Sequence, residues 1–417
     1  RARSAGYRVK MRMKTTTPHP AVPPHIAALP PYTHVELFEA LSARLGRSPT
    51  TIVKLDTNEN PYGVSPRVRT ALASLDYPHI YPDPESRTLR AALSSFTGIS
   101  DANLLAGAGA DELIDLIMRV MLCPGDVVLN CPPTFGMYSF DADLNNARVI
   151  TVPREPDFSL DVDGILAAFE KFSPKLIFLT SPNNPDGSLI PHSVLDKLLA
   201  HPALIVLDEA YIEFAEPNSL GKKLSRITDV PDRENLVVLR TFSKLAGLAG
   251  LRVGYGAFPT WLMPTLWKAK PPYNVNVAAS AAACAALDDT AHLSRTVAAM
   301  VAERLRLMDA LQTISFLHPY PTKSNFILCR VIGYNAAFLK TDLAQEHGIL
   351  IRHFDEPRLN DHIRISVGKP EQTDALVKAL SSYPFEPVTG SDSQQPIDRK
   401  RRRKDLYADR KYSTHNE

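Results

Sequence analysis

Five short runs rich in Val, Ile and Leu punctuate the middle of the chain: DVVLN (126–130), KLIFLTSP (175–182), ALIVLDEAY (203–211), LVVLRTFS (236–243) and RVGYGAF (252–258). Helical patterns lie among them, as in ELIDLIMRVML (112–122) and VLDKLLAH (194–201). A strand that is apolar on both faces needs cover on both faces, and helical crossovers supply it. The alternation therefore predicts βαβ units and a mostly parallel sheet flanked by helices. After about Ala278 the pattern changes. One long Ala-rich helix, from AASAAACAALDD to RTVAAMVAERLRLMDAL, is expected to bridge to a smaller α+β domain. Its strands are expected at SNFILCRV, HGILIRHF and HIRISVG.

Length and charge narrow the function classes. A chain of 417 residues accommodates two domains. Its formal net charge of +2 implies no affinity for nucleic acid or membrane. No apolar run approaches the roughly 20 residues that span a bilayer. Four cysteines, Cys123, Cys131, Cys284 and Cys329, are scattered without a CxxC pair. That spacing favours neither a zinc site nor a disulfide framework, so no metal is expected and a reducing, cytoplasmic setting is. Residues 1–35 hold no acid but several Arg and Lys, and read either as an organellar signal or as extra sequence ahead of Met11 or Met13. The basic run Arg399–Lys404 reads as a polyanion-binding or import patch, or as part of a solvated tail.

Polar residues gather where strands end, the place open α/β sheets put their ligands. Lys244, in TFSKLAGLAG, stands among small and apolar residues. Lost hydration there lowers an amine's pKa and makes it a nucleophile for carbonyl groups; the alternative is a lysine at a helix start with its head in water. Asp208 follows four apolar residues, where a carboxylate is costly unless paired. Its partner is either a protonated ring nitrogen or, more plainly, a helix N-terminus or structural cation. GAGADELIDL sets small residues before a helix, which suits a phosphate. No GxGxxG or GxxxxGK[ST] motif is present.

In chain order these features are LDTNENPYG, YPDPES, GAGADELID, CPPTFGMY, SPNNPDG, VLDEAYIEF, TFSKLAGLAGLRVGYG and HIRISVG. The set, spanning about Tyr32 to Tyr383, resembles the fold-type I aminotransferases that use pyridoxal 5′-phosphate, and most closely the histidinol-phosphate aminotransferase group. The resemblance implies that Lys244 carries the covalent link to the cofactor and moves a proton, while Asp208 pairs with the ring nitrogen. Asn184 and Tyr211 would hold the ring's 3′-oxygen, and Phe135, where the family more often has Tyr, would stack on its face. Ala108, Gly109, Ala110 and Asp111 would form the phosphate loop, with Ser243 and Arg252 completing it. Tyr62 would reach the phosphate from a neighbouring subunit, which implies a homodimer. Arg364 would bind the substrate's anionic group, with Tyr32 and Asn184 beside the substrate. SPNNPDG departs from the commoner form at Asp186, a loop residue not expected to disturb Asn184.

The resemblance also divides the chain. Residues 1–30 would be a basic, Pro-rich, disordered arm, and 31–60 a segment packing on the small domain and a dimer partner. Residues 61–290 would be the cofactor-binding domain, 291–386 the small domain and 387–417 a disordered tail. The implied reaction moves an amino group between histidinol phosphate and 2-oxoglutarate, within histidine biosynthesis. Alternatives are a broad aromatic aminotransferase, a phosphothreonine decarboxylase of the same architecture, and a non-catalytic cofactor-binding regulator.

Overall fold

The computed structural model describes residues 21–29, 38–216 and 218–383. Tyr32, the 387–417 tail with its Arg399–Lys404 run, and most of the 1–30 arm lie outside the described residues. Within that arm Pro24–Ala27 form one helical turn with Pro24 at its start, packed near the helix Met137–Leu144.

Among the described residues twelve strands fall into two sheets. In chain order they are β1 (Val53–Leu55), β2 (Leu104–Gly107), β3 (Val127–Asn130), β4 (Arg148–Thr151), β5 (Leu176–Thr180), β6 (Leu204–Asp208), β7 (Leu236–Thr241), β8 (Gly254–Ala257), β9 (Leu317–Pro319), β10 (Phe326–Val331), β11 (Ile349–His353) and β12 (His362–Ser366). The larger sheet runs β2-β8-β7-β6-β5-β3-β4, parallel throughout except for β8. The smaller runs β1-β11-β12-β10-β9, with β1 parallel to β11 and the rest antiparallel.

Alternation along the strands builds a core on each face of the large sheet. Ile205 and Leu207 of β6 join one apolar cluster. Leu204 and Val206 join another, under the helix Ala110–Met121. Each strand is therefore apolar on both sides, as a sheet between two helical layers requires. A third cluster, including Leu55, Ile327, Ile351 and Ile365, fills the small sheet.

The Ala-rich stretch is two helices rather than one: Val277–Leu287 and Thr290–Gln312. Asp288 ends the first, and the Asp289 side chain accepts from the His292 N–H to start the second. The second helix spans both lobes: Leu293, Val297 and Met300 pack into the large core, and Leu307 and Leu311 into the small one.

Candidate active site

The parallel strands end at one edge of the large sheet, and the sequence-derived residues lie on the turns that follow. Asp208 is the last residue of β6, and Tyr211 lies three residues on. Ser243 and Lys244 occupy the short helix Phe242–Leu245 after β7, while the 108–111 turn follows β2. Because β8 alone runs the other way, Arg252 reaches the same edge just before its strand.

Lys244 is half-buried, and its Nζ donates to the Thr57 carbonyl at 2.8 Å. Burial lowers its pKa to about 8, and the positive charge of Arg364 acts in the same direction. Nζ also lies 6.0 Å from the centre of the Tyr211 ring. The phenol of Tyr211 is buried and accepts from Asn58 Nδ2 at 3.1 Å. Burial raises its pKa. Asp208 is 5% exposed, and burial lifts its pKa to about 6. Its Oδ1 accepts from the Ala210 N–H at 3.0 Å and its Oδ2 from the Tyr138 hydroxyl at 2.7 Å.

Arg364 reaches across from β12. It donates to Asn184 Oδ1 at 2.5 Å and to the Asp56 carbonyl at 2.8 Å, while its buried Nε has no partner among the described residues. Burial brings its pKa down to about 10, with the nearby Arg352 adding to the effect. The guanidinium carbons of Arg352 and Arg364 each lie 5.7 Å from the centre of the Phe354 ring. Phe135 is half-buried and meets Tyr138 edge-on at 5.5 Å.

The turn before the helix Ala110–Met121 is tighter and more self-satisfied than its sequence implies. The Ala108 N–H donates to Glu112 Oε2 at 2.7 Å and the Gly109 N–H to the Gly107 carbonyl at 2.8 Å. The amides left for an anion are those of the helix start, from Ala110 and Asp111, where no side chain caps the helix. Gly109 has φ +85, and a Cβ there would lie 2.5 Å from Arg252 Nη2. Arg252 is exposed: its side chain is 48% accessible and pairs with Asp111 Oδ2 at 2.8 Å. Ser243 is buried beside Thr241, 3.0 Å between hydroxyls.

Tyr62, expected to serve a neighbouring subunit, makes its contacts elsewhere in its own chain. Its N–H donates to Asn60 Oδ1, and Lys369 Nζ lies 5.8 Å from its ring centre. Asp186 is buried, not a free loop residue; its carboxylate accepts from Asn183 Nδ2 and the Ser188 N–H. It fixes the turn through Asn183, leaving Asn184 to Arg364.

Three residues that sequence reasoning passed over belong to the site. Asn58 has φ +58 and ties the site together: its N–H donates to Ser366 Oγ, and its carbonyl accepts from Asn325 Nδ2. Tyr138 and Arg352 are the others. Asn58 and Tyr138 lie within motif stretches and Arg352 within the expected strand HGILIRHF, but nothing in spacing alone distinguishes a site side chain from a core one. Among the described residues no group of three or more His, Cys, Asp or Glu is placed to hold a metal.

The model for aminotransferase class I and II matches residues 50–380. The chain belongs to that family. Among its relatives, the chloroplastic histidinol-phosphate aminotransferase of Nicotiana plumbaginifolia is 56% identical over 361 residues, covering 86% of each chain. The histidinol-phosphate aminotransferase of Roseiflexus castenholzii is 51% identical, covering 86% of this chain and 96% of its own. Among solved structures of such aminotransferases, the histidinol-phosphate aminotransferase of Sinorhizobium meliloti in complex with pyridoxal-5′-phosphate superposes with a TM-score of 0.77. It is 31% identical and covers 86% of this chain and 95% of that one.

Proposed function

We propose that this chain is a pyridoxal-phosphate-dependent aminotransferase that interconverts L-histidinol phosphate and 2-oxoglutarate with imidazole acetol phosphate and glutamate. The observation that carries this reading is Lys244, an amine near pKa 8 that lies 6.0 Å from the Tyr211 ring centre and feels the charge of Arg364. The names of the relatives at 51% and 56% identity support the substrate.

The residues present fit the cofactor. A buried carboxylate, Asp208, waits at a strand end, the buried Nε of Arg364 lacks a partner among the described residues, and a side chain at Gly109 would strike Arg252. When bound, pyridoxal phosphate supplies an aldehyde that captures amines and a ring that takes up electron density from the substrate's α-carbon. Asp208, ionised above about pH 6, accepts the ring N–H. Tyr211 already accepts from Asn58, so its own proton is free to donate to the ring's 3′-oxygen. Asn184 gives its carbonyl to Arg364 and keeps its N–H₂ for the same oxygen. Lys244 Nζ takes the proton from the donor's α-carbon and returns it on the other side of the exchange. Ser243, Arg252 and the amides of Ala110 and Asp111 hold the phosphate, with Asp111 giving up Arg252 to it. Phe135 covers a face of the ring.

A phosphate ester carries close to two negative charges at neutral pH, where a carboxylate carries one. Arg364 with Arg352 beside it suits the former, and Arg364's planar fork accepts either anion. The working unit is a homodimer in which Tyr62 of the partner subunit reaches the phosphate. Tyr77, Ile80 and Tyr81 are exposed, and the exposed Tyr273 stacks on Tyr81; large exposed apolar side chains of this kind suit cover by a second copy. A fully active monomer in sedimentation would contradict this. Residues 61–290 are the cofactor-binding unit and 291–386 the smaller one. The chloroplastic relatives fit an organellar rather than a cytoplasmic setting.

The test is reduction of the reconstituted protein with borohydride. The cofactor is expected on the peptide containing Lys244, and Lys244→Ala is expected to lose the adduct together with turnover, on the order of 10³-fold or more. An undiminished adduct in that variant would contradict the assignment.

A further inference from the structure

Thr180 and Asp208 are register partners at the ends of β5 and β6. By alternation both face the same side of the sheet as Phe178 and Val206. Tyr138, on the helix Met137–Leu144, is fully buried against that face and stacked on Phe178 at 5.0 Å. Its hydroxyl lies 2.7 Å from Asp208 Oδ2 and 2.8 Å from Thr180 Oγ1.

A proton inventory fixes the direction of these contacts. Asp208, when ionised, only accepts, so Tyr138 donates to it. The phenol has one proton, so Thr180 must supply the bond to the Tyr138 oxygen. Thr180 Oγ1 also lies 3.3 Å from Thr134 Oγ1, but the Thr134 proton goes to Asn183 Oδ1 at 2.9 Å, so no proton is left for a bond between the two threonines. The carboxylate is thus held through Tyr138 to Thr180, its register partner on the next strand.

We propose that Tyr138 is a positioning residue that keeps Asp208 ionised and holds its Oδ2, so that the carboxylate meets the cofactor's ring nitrogen in one protonation state and one orientation. This rests on the functional reading above. Most other influences on Asp208 oppose ionisation. Burial does so first, and the like charges of Asp111 and Glu209 add to it. Against them stand the Tyr138 hydroxyl and the Ala210 N–H. Tyr211 also faces Asp208, but its phenol is engaged with Asn58. Burial and the neighbouring carboxylate hold the Tyr138 phenol well above its ordinary pKa, so it remains a donor throughout the working range.

Tyr138→Phe keeps the ring and its stacking and removes only the donor. Losing one such bond should raise the Asp208 pKa by about one unit. Binding of pyridoxal phosphate to the apo chain should then weaken about fivefold at pH 6 and converge on wild type by pH 8.5. The acid limb of kcat should move up by about one pH unit. Thr180→Val, which removes the donor to the Tyr138 oxygen, should shift both readouts the same way by less, and it serves if the first variant does not fold. A loss of affinity that is equal at all pH values, or an unmoved acid limb in both variants, would overturn the proposal. Carbon-13 titration of the Asp208 carboxyl in the apo chain reads the same pKa rise without any ligand. Failure of wild type to link the cofactor at Lys244 would instead sink the functional reading.

Discussion

Asp208 ends a strand whose other four residues are all apolar, and its folded pKa of about 6 stands above the ordinary value of 3.8. A rise of that size corresponds to about 3 kcal/mol against folding when the carboxylate is ionised. The sign follows from the direction: the penalty is present at neutral pH and is relieved as pH falls through 6. Asp208→Asn should therefore leave the apo chain as stable as wild type, or more so, at pH 7.5 and erase the gain seen in wild type on acidification toward pH 5. The same variant should bind pyridoxal phosphate more weakly. Thermal melts of apo and loaded protein read both, and an apo variant markedly less stable than wild type would contradict the account. That a carboxylate stood here was legible, because four apolar residues precede it. Its hydrogen bond to Tyr138 was not, since it joins residues 70 apart whose neighbourhood only the sheet creates. Arg252 stands among small and apolar residues, yet its side chain, on a left-handed backbone of φ +53, is exposed and pairs with Asp111, a contact between residues 141 apart.

At the scale of elements, the strands read from long apolar runs are β3, β5, β6, β7 and β8 in the large sheet. Those passed over carry weaker signals. β1 and β9 have three residues each, β2 ends in Ala and Gly, and β4 is an edge strand with exposed ends. The Ala-rich helix was legible as helix but not as two, because the break depends on one aspartate turning to cap the next segment. The reversal of β8 left no pattern in the sequence, yet it brings Arg252 to the site. It also forces a close approach. A Cβ on Gly254 would lie 2.6 Å from the Ala110 nitrogen and 2.9 Å from the Arg240 carbonyl, both backbone atoms that cannot swing aside. Gly254→Ala is expected to cost about 1–3 kcal/mol and to weaken phosphate binding by displacing the Gly109 turn. Urea unfolding and a phosphate titration check it; unchanged stability would mean that β2 and β8 can part freely.

The whole molecule joins two sheets through few connections, and the site lies where they meet. Lys244 and Asp208 come from the large sheet, Arg364 and Ser366 from the small one, and Asn58 bonds to both sides. The helix Thr290–Gln312 carries the chain between the two cores. Motif order made the family legible across this whole span, because most of the motifs sit at strand ends and the fold brings those ends together. What motif order left out was the pairing of Arg352 with Arg364 around Phe354, which arises from two neighbouring strands of the small sheet. That pair bears on substrate choice. The most direct test compares kcat/KM of the reconstituted enzyme for histidinol phosphate, phenylalanine and phosphothreonine. The account predicts histidinol phosphate ahead by roughly a hundredfold or more, with no CO₂ released. A preference for phenylalanine, or CO₂ from phosphothreonine, would contradict it.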